Sequence, residues 1–320
     1  MINIGFIGAG ARAQVHMGHI REDGRAEIVA LCDVDDATVR EAAEDHGARA
    51  YIDHEQMLEA ETDLDAICVV LPPFAHGEPE VMAAERGLHL FVDKPIAISN
   101  DVASRIHEAI EANGVVSAVG YQTRYAETVD YATELIGGRM LGLIEGYYKS
   151  GVPGGPGHWW RSYEKSGGQV VEQATHIYDL VRFFGGEATE VMAIGGQNIV
   201  TDIDFEDVVS ANIQLESGVV GHVTSTSASP RHHSGVEMIG EGLKLTISGN
   251  TVSGVVDGES IQMEGANDPT ADAMRTFLEA VSTGDGSAIR SDYAEGRRSL
   301  ALTMAVEESL KTGERTRPAY

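Results

Sequence analysis

Apolar and polar positions fall into short alternating blocks along the first third of the chain. Apolar runs at Asn3–Ile7, Ile28–Cys32, Ala66–Leu71, Leu88–Val92 and Val115–Val119 are bounded by turn residues, as strands buried on both faces are. Between them lie stretches with helical apolar spacing, such as Asp36–His46 and Glu78–Arg86. Strands alternating with helices predict βαβ units and a doubly wound parallel sheet over residues 1–120.

The pattern changes after Gly120. Tyr121–Ile136 predicts a helix ended by Gly137-Gly138, followed by a strand and the Gly- and Pro-rich loop Gly151–Gly157. Strand patterns then dominate: Val191–Gly195, Val208–Leu215, Gly218–Thr224, Ser234–Ile239, Leu243–Ser248, Thr251–Val256 and Ser260–Met263. Short turns such as Gly240-Glu241-Gly242 separate several of them, which argues for a mostly antiparallel sheet. Two helices, near 269–282 and 291–311, close the chain. The expected fold class is α/β, with an N-terminal parallel-sheet domain at 1–120 and a C-terminal α+β domain at 121–320.

Composition narrows the partners. The 320 residues include 50 acidic against 23 basic ones, for a net charge of −27, and only five lysines: Lys94, Lys149, Lys165, Lys244 and Lys311. A surface of that sign repels nucleic acid and anionic lipid, so neither is an expected partner. Dispersed carboxylates with few lysines suggest a salt-rich cytoplasm, where ionic strength screens self-repulsion. The N-terminal apolar run reaches its glycine turn too soon for a signal peptide, and no run is long enough to cross a bilayer. Cys32 and Cys68 lie inside apolar runs and read as buried thiols of a reduced cytoplasm.

Three motifs carry chemistry. The first strand runs into Gly8-Ala9-Gly10-Ala11-Arg12-Ala13, where Gly8 permits a tight turn, Gly10 admits a pyrophosphate and Ala13 lets a helix pack close. Asp33, 25 residues after Gly8 at the end of the second run, is placed to meet adenosine ribose hydroxyls. A ligand-free βα turn is the plainer alternative. Asp33, Asp35 and Asp36 would repel a 2′-phosphate, which favours NAD; Arg12 keeps NADP open. The second motif, Asp93-Lys94-Pro95, follows a strand at the sheet edge where ligands sit, so Lys94 is either an oxygen-polarising cation or a solvated loop residue. The third is Glu172, His176 and Asp179 at i, i+4 and i+7, predicted to share one helix face between Gly167-Gly168 and Gly185-Gly186. That face reads as a proton-transfer group, a metal site or a solvated stripe; proton transfer ranks above metal because no second ligand cluster accompanies it.

Together with Leu71-Pro72-Pro73 and His76, these motifs resemble the Gfo/Idh/MocA oxidoreductases along essentially the whole chain. The resemblance implies a Rossmann domain followed by an open-faced sheet domain that pairs in homodimers or homotetramers. It also implies that Leu71, Pro72, Pro73, His76, Asp93, Lys94 and Gln122 join Gly8–Ala13 and Asp33 around the cofactor. Lys94, His176 and Asp179 match catalytic positions. Glu172 and Asp93 each stand where the family often has the other acidic residue. Substrate contacts are expected from Tyr121, Gln122, Arg124, Lys149, His158, Trp159, Trp160, Arg161 and Glu172, with no metal. The expected reaction takes hydride from a sugar, polyol or sugar-acid carbon to the nicotinamide while His176 takes the hydroxyl proton, Lys94 polarises the oxygen and Asp179 orients a hydroxyl. Lys94 and His176 are expected to converge on one alcohol oxygen. Alternatives are a lyase or glycosidase working through transient oxidation, and a non-catalytic NAD- and sugar-binding regulator.

Overall fold

The first apolar run folds as β1 (Ile2–Ile7), whose Ile4 and Phe6 are fully buried, and passes through the glycine turn into α1 (Ala11–Asp23). The alternation continues as β2 (Ala26–Cys32), α2 (Asp36–His46), β3 (Arg49–Tyr51), α3 (His54–Ala60), β4 (Ala66–Val69), α4 (Glu78–Glu85), β5 (His89–Val92), α5 (Asn100–Asn113) and β6 (Ser117–Val119). All neighbouring strands are parallel, in the order β3-β2-β1-β4-β5-β6, so the winding of the chain across the sheet switches sides between β1 and β4. Side-chain caps from Asp35, Asp53 and Ser99 start α2, α3 and α5, each cap contributing about 1 kcal/mol.

This computed structural model describes every residue from Met1 to Tyr320 and divides into two units: Met1–Gln122 with Asp268–Gly296, and Thr123–Asn267 with Arg297–Tyr320. The single boundary at 120 therefore misses an excursion. The helix Pro269–Thr283 returns to the first unit because its stripe of Met274, Phe277 and Leu278 completes that core, with Phe277 edge-on to Phe91 at 5.7 Å. Burying side chains of this size yields roughly 1.5–3 kcal/mol each. Cys32 and Cys68 are buried, unbonded thiols on β2 and β4, opposite Ile7 and Phe6 of β1.

The second unit begins with a 3-10 turn, Gln122–Tyr125, and α6 (Glu127–Ile136). The single helix expected over Tyr121–Ile136 is thus broken. Ala126 is extended, and the Tyr125 carbonyl accepts from Asn267 Nδ2 at 2.8 Å instead of from the next turn. There follow β7 (Leu141–Gly151), α7 (Tyr163–Ser166), α8 (Gly168–Glu172), α9 (Thr175–Gly185), β8 (Ala188–Gly196), β9 (Val208–Leu215), β10 (Val220–Thr226), β11 (Ala228–Gly240), β12 (Leu243–Ser248), β13 (Thr251–Val256) and β14 (Glu259–Glu264). The helix already described is α10, and α11 (Tyr293–Thr312) ends the chain's regular structure.

The eight strands form one sheet, β14-β13-β12-β11-β7-β10-β9-β8, antiparallel except for the β7/β10 pair. One face is dry: Val209, Ala211, Ile213 and Leu215 of β9 join Val129 of α6, Leu180 and Val181 of α9, and Leu302 and Val306 of α11. The alternate residues of the strands face away from these helices. They include His222 bonded to Asn212, and Lys244 paired with Glu237 at 3.0 Å. No helix is long and apolar enough to cross a membrane.

Candidate functional site

The glycine turn shows the local marks of an anion cradle. Gly8 has φ +99°, and a Cβ there would lie 2.1 Å from the Val70 carbonyl oxygen, so the fold itself demands glycine. Gly10 differs. Its backbone is extended, it is exposed, and a Cβ would meet nothing within 4 Å. The chain's own packing gives no reason for glycine there, whereas an incoming ligand does. Ala13 is fully buried, as close helix packing requires. The N-terminus of α1 has neither a side-chain cap nor an acidic residue in its first turn, unlike α2, α3 and α5. Its N–H groups and dipole are thereby left for an anion.

Asp33 stands beside this turn, its carboxylate accepting from Ala9 N at 2.8 Å and from Asp35 N at 3.0 Å. Arg12 turns the other way. Its Nε donates to Asp93 Oδ2 at 2.8 Å, on the β5 side of the sheet, whereas Asp33 ends β2 on the opposite side of β1. The arginine that kept a 2′-phosphate open in the sequence is committed elsewhere. These residues fit a dinucleotide whose adenosine ribose is unphosphorylated.

Asp93 and Lys94 end β5. Asp93 is 5% exposed, and its Oδ1 accepts from the Lys94 backbone N at 3.0 Å. Burial alone would raise its carboxyl, but His16 and Arg12 outweigh that and hold it far below the usual carboxylate range. Lys94 itself is half-exposed, the single such residue in Leu90–Ala97. Leu71 and Pro72 are half-buried on the loop after β4, and Pro73 is buried. His76 is buried there too, its Nδ1 2.5 Å from Glu80 Oε1, while Glu80 Oε2 accepts from Gly77 N at 2.8 Å. Tyr121 is buried and Gln122 half-exposed.

In the second unit the expected single helix carrying Glu172, His176 and Asp179 is two helices. Glu172 ends α8, and α9 starts at Thr175, after a wide turn in which Ala174 N donates to Gln169 O at 2.8 Å. At the break Gln169 O accepts from both Gln173 N and Ala174 N, and the Gln173 side chain donates to the Gly151 carbonyl at 3.2 Å and accepts from Ser227 Oγ at 3.2 Å. From Ser166 to Arg182 every residue is buried except His176. Glu172 is 5% exposed, and its charge joins burial in pushing the Tyr148 hydroxyl up to about 12.

Four expected site residues, Asp179, Arg124, Lys149 and Arg161, make other contacts. Asp179 is 1% exposed and bidentate to Arg124 at 2.7 and 2.8 Å, with Ser299 Oγ donating to it at 2.5 Å. The pair anchors α9 to the turn before α6 and to α11; neither charge is presented to a substrate. Lys149 lies on the opposite face of β7 from Tyr148, the residue that senses Glu172, because successive strand residues point to opposite sides. Its Nζ sits 5.3 Å from the Tyr147 ring. Arg161 bonds the Gly154 and Gly155 carbonyls and pairs with Asp202 at 2.6 Å, bracing the loop that precedes it. Trp159 and Trp160 are half-buried, with rings 5.2 Å apart, and exposed His158 accepts from Trp160 N. Ser299 and Glu80 were not anticipated. Ser299 carries no signal 120 residues from its partner, whereas Glu80 lies at i+4 from His76 and was legible. A groove of about 800 Å³ lined by Glu187, Arg298, Arg317 and Tyr320 includes none of the expected site residues.

Residues 2–121 match the profile of an oxidoreductase family with an NAD-binding Rossmann fold, and residues 138–251 match the GFO/IDH/MocA C-terminal domain. A scyllo-inositol 2-dehydrogenase (NAD+) of Bacillus subtilis is 25% identical over 65% of this chain and 62% of its own length. A 2,7-anhydro-N-acetylneuraminate hydratase of Mediterraneibacter gnavus is 28% identical over 67% of this chain and 57% of its own. The chain thus spans less than two thirds of these relatives. The WlbA dehydrogenase of Bordetella pertussis, solved with NADH and UDP-GlcNAcA, superposes with a TM-score of 0.87 at 24% identity, covering 100% of this chain and 99% of that one. At that identity the likeness speaks for the fold.

Proposed function

The chain belongs to the Gfo/Idh/MocA family of NAD-binding oxidoreductases, and from that premise we propose that it moves hydride between NAD and a hydroxyl-bearing carbon of a sugar, polyol or sugar acid. The observation that carries the reading is burial. Leu90–Ala97 and Ser166–Arg182 are closed to solvent except at Lys94 and His176. A lone ionisable side chain breaking an otherwise buried segment is placed for chemistry rather than for packing.

The first turn of α1 would hold the cofactor's pyrophosphate, and Asp33 its adenosine ribose hydroxyls. NAD, when bound, supplies the hydride acceptor. His176 takes the proton from the substrate hydroxyl, a step typically worth ~10²–10⁴ in rate. Lys94 polarises the oxygen and steadies the negative charge that grows on it. Glu172, buried four residues before His176, adds a carboxylate to the same stretch of chain. The Arg124–Asp179 pair holds α9 in place. In the reverse direction the same groups return the proton.

A panel of sugars, polyols and sugar acids with NAD and NADP, read as absorbance of the reduced cofactor, tests the proposal. Lys94→Ala and His176→Ala should each lose at least about a hundredfold in kcat while still binding NAD. Failure of every substrate at low and high salt would end the dehydrogenase reading. A second reading, transient oxidation without net redox change, is favoured by the hydratase among the relatives. It predicts substrate turnover with no build-up of reduced cofactor. The two buried, unbonded thiols suit a reducing cytoplasm. The helix-free face of the eight-stranded sheet is the surface through which two or four copies would pair.

A further inference from the structure

We propose that Arg12 and Asp93 are a positioning pair that ties the phosphate-binding turn to the backbone of Lys94. The inference rests on the role given to Lys94 above.

Asp93 is a buried carboxylate at the centre of a small network whose Arg12 side chain is partly exposed. One carboxylate oxygen receives the guanidinium of Arg12, the second residue of α1, at 2.8 Å. The other receives the backbone N–H of Lys94 at 3.0 Å. The carboxylate therefore links the first turn of α1 to the backbone immediately after Asp93 itself. Its seat is shaped for it: a Cβ on Gly120 would lie 2.2 Å from Asp93 Oδ1, so the carboxylate occupies space that only glycine leaves. His16, fully buried and edge-on to Phe91 at 5.0 Å, places Nε2 3.7 Å from Oδ2, the oxygen that Arg12 also meets. A buried carboxylate deprived of its cation either takes up a proton or moves toward water. Either change alters the acceptor that fixes the Lys94 N–H. The turn and the lysine loop are separated by β4, and no side chain of β4 is needed to connect them.

Arg12 is thus neither a general phosphate-binding cation nor a structural residue of α1 alone. Its charge is spent on Asp93, and through Asp93 it acts on the lysine. Two consequences can be separated. If Arg12 served only the turn, its loss would weaken NAD binding and leave kcat at saturating NAD near that of the parent. If it positions Lys94, kcat falls and NAD affinity changes little.

The test uses the full chain. Its five lysines are few enough for 13C reductive methylation to give resolved dimethyl-lysine signals, with Lys94→Arg assigning the one of interest. Arg12→Ala, and the near-isosteric Asp93→Asn in case the first folds poorly, should shift the Lys94 signal and leave those of Lys149, Lys165, Lys244 and Lys311 in place. This readout needs neither cofactor nor substrate. Calorimetric titration with NAD should give a Kd within about threefold of the parent, while kcat drops about tenfold, with partial recovery in Arg12→Lys. An unmoved Lys94 signal in folded Arg12→Ala and Asp93→Asn overturns the proposal, as does a loss of NAD affinity with kcat unchanged at saturating NAD. Should the parent chain oxidise no sugar, the family-based activity fails, but the lysine signals and NAD titration still decide whether the pair positions Lys94.

Discussion

Gly8 and Gly10 share one turn for different physical reasons, and substitution separates them. At Gly8 a side chain meets the Val70 carbonyl in a left-handed backbone, so Gly8→Ala should destabilise the first unit by about 2–4 kcal/mol. At Gly10 nothing in the protein is displaced, so Gly10→Ala should leave the urea midpoint within about 0.5 kcal/mol of the parent. Its NAD Kd should nevertheless rise at least about tenfold, because the methyl occupies the approach of the pyrophosphate. Equal Kd values for parent and Gly10→Ala would mean that the turn binds no dinucleotide. The buried pair of Arg124 and Asp179 is the opposite case, a residue-scale feature that concerns stability. Asp179→Ala leaves a guanidinium uncompensated at 2% exposure and should cost about 3–5 kcal/mol, whereas replacing both partners by apolar residues should cost less. Chemical denaturation of the two single variants and the double variant closes that cycle.

Between α7 and α11 the packing of elements buries a carboxyl. Glu307 of α11 is 3% exposed and faces Tyr163 of α7, with Glu206 and Lys311 nearby and the Gly168 backbone against it. Burial first, and the Glu206 charge second, push its carboxyl up to about 8 against the smaller opposing effects of Lys311 and Tyr163. The folded chain then holds a proton that the unfolded chain sheds near the ordinary value of 4.5. Stability from this group is complete below that value and falls as pH climbs to about 8, by up to about 1.4 kcal/mol per pH unit. Glu307→Gln should remove the slope. Urea unfolding at three pH values between 5 and 8 checks it: a constant difference between parent and variant would show the carboxyl to be ionised throughout. The element scale also shows where sequence patterning is informative. Residues Asp36–His46, Val208–Leu215, Leu243–Ser248 and Thr251–Val256 fold over the ranges their periodicity predicts, because each presents one continuous apolar stripe to a core. Periodicity fails where the backbone turn widens, as at Gln169–Ala174, or a backbone carbonyl is claimed from afar, as at Tyr125. It fails too for β3, three residues with no buried side chain among them. The glycine turn and the Asp93-Lys94 turn are legible because they depend on local backbone, whereas the face on which Lys149 lies depends on strand parity relative to helices packed on one side of the sheet.

For the whole molecule, charge density decides how salt should act. A net −27 over 13741 Å² of surface is about one uncompensated charge per 500 Å², a mean spacing of roughly 20 Å. The screening length is about 30 Å at 0.01 M and about 10 Å at 0.1 M salt. Repulsion between neighbouring uncompensated charges is therefore felt at 0.01 M and mostly screened by a few tenths molar. Relief of self-repulsion predicts a thermal midpoint that rises steeply between 0.01 and about 0.3 M KCl and flattens above. NaCl should act equally at equal ionic strength, since screening does not distinguish the cations. A midpoint that keeps climbing between 1 and 3 M KCl, or that separates K⁺ from Na⁺, would require carboxylates that bind hydrated cations in the folded state rather than a merely screened surface. That outcome would be the stronger sign of a protein built for a salt-rich cytoplasm. Calorimetry across the series distinguishes the two, and the same series run with the substrate panel tells whether activity follows folding or needs salt beyond it.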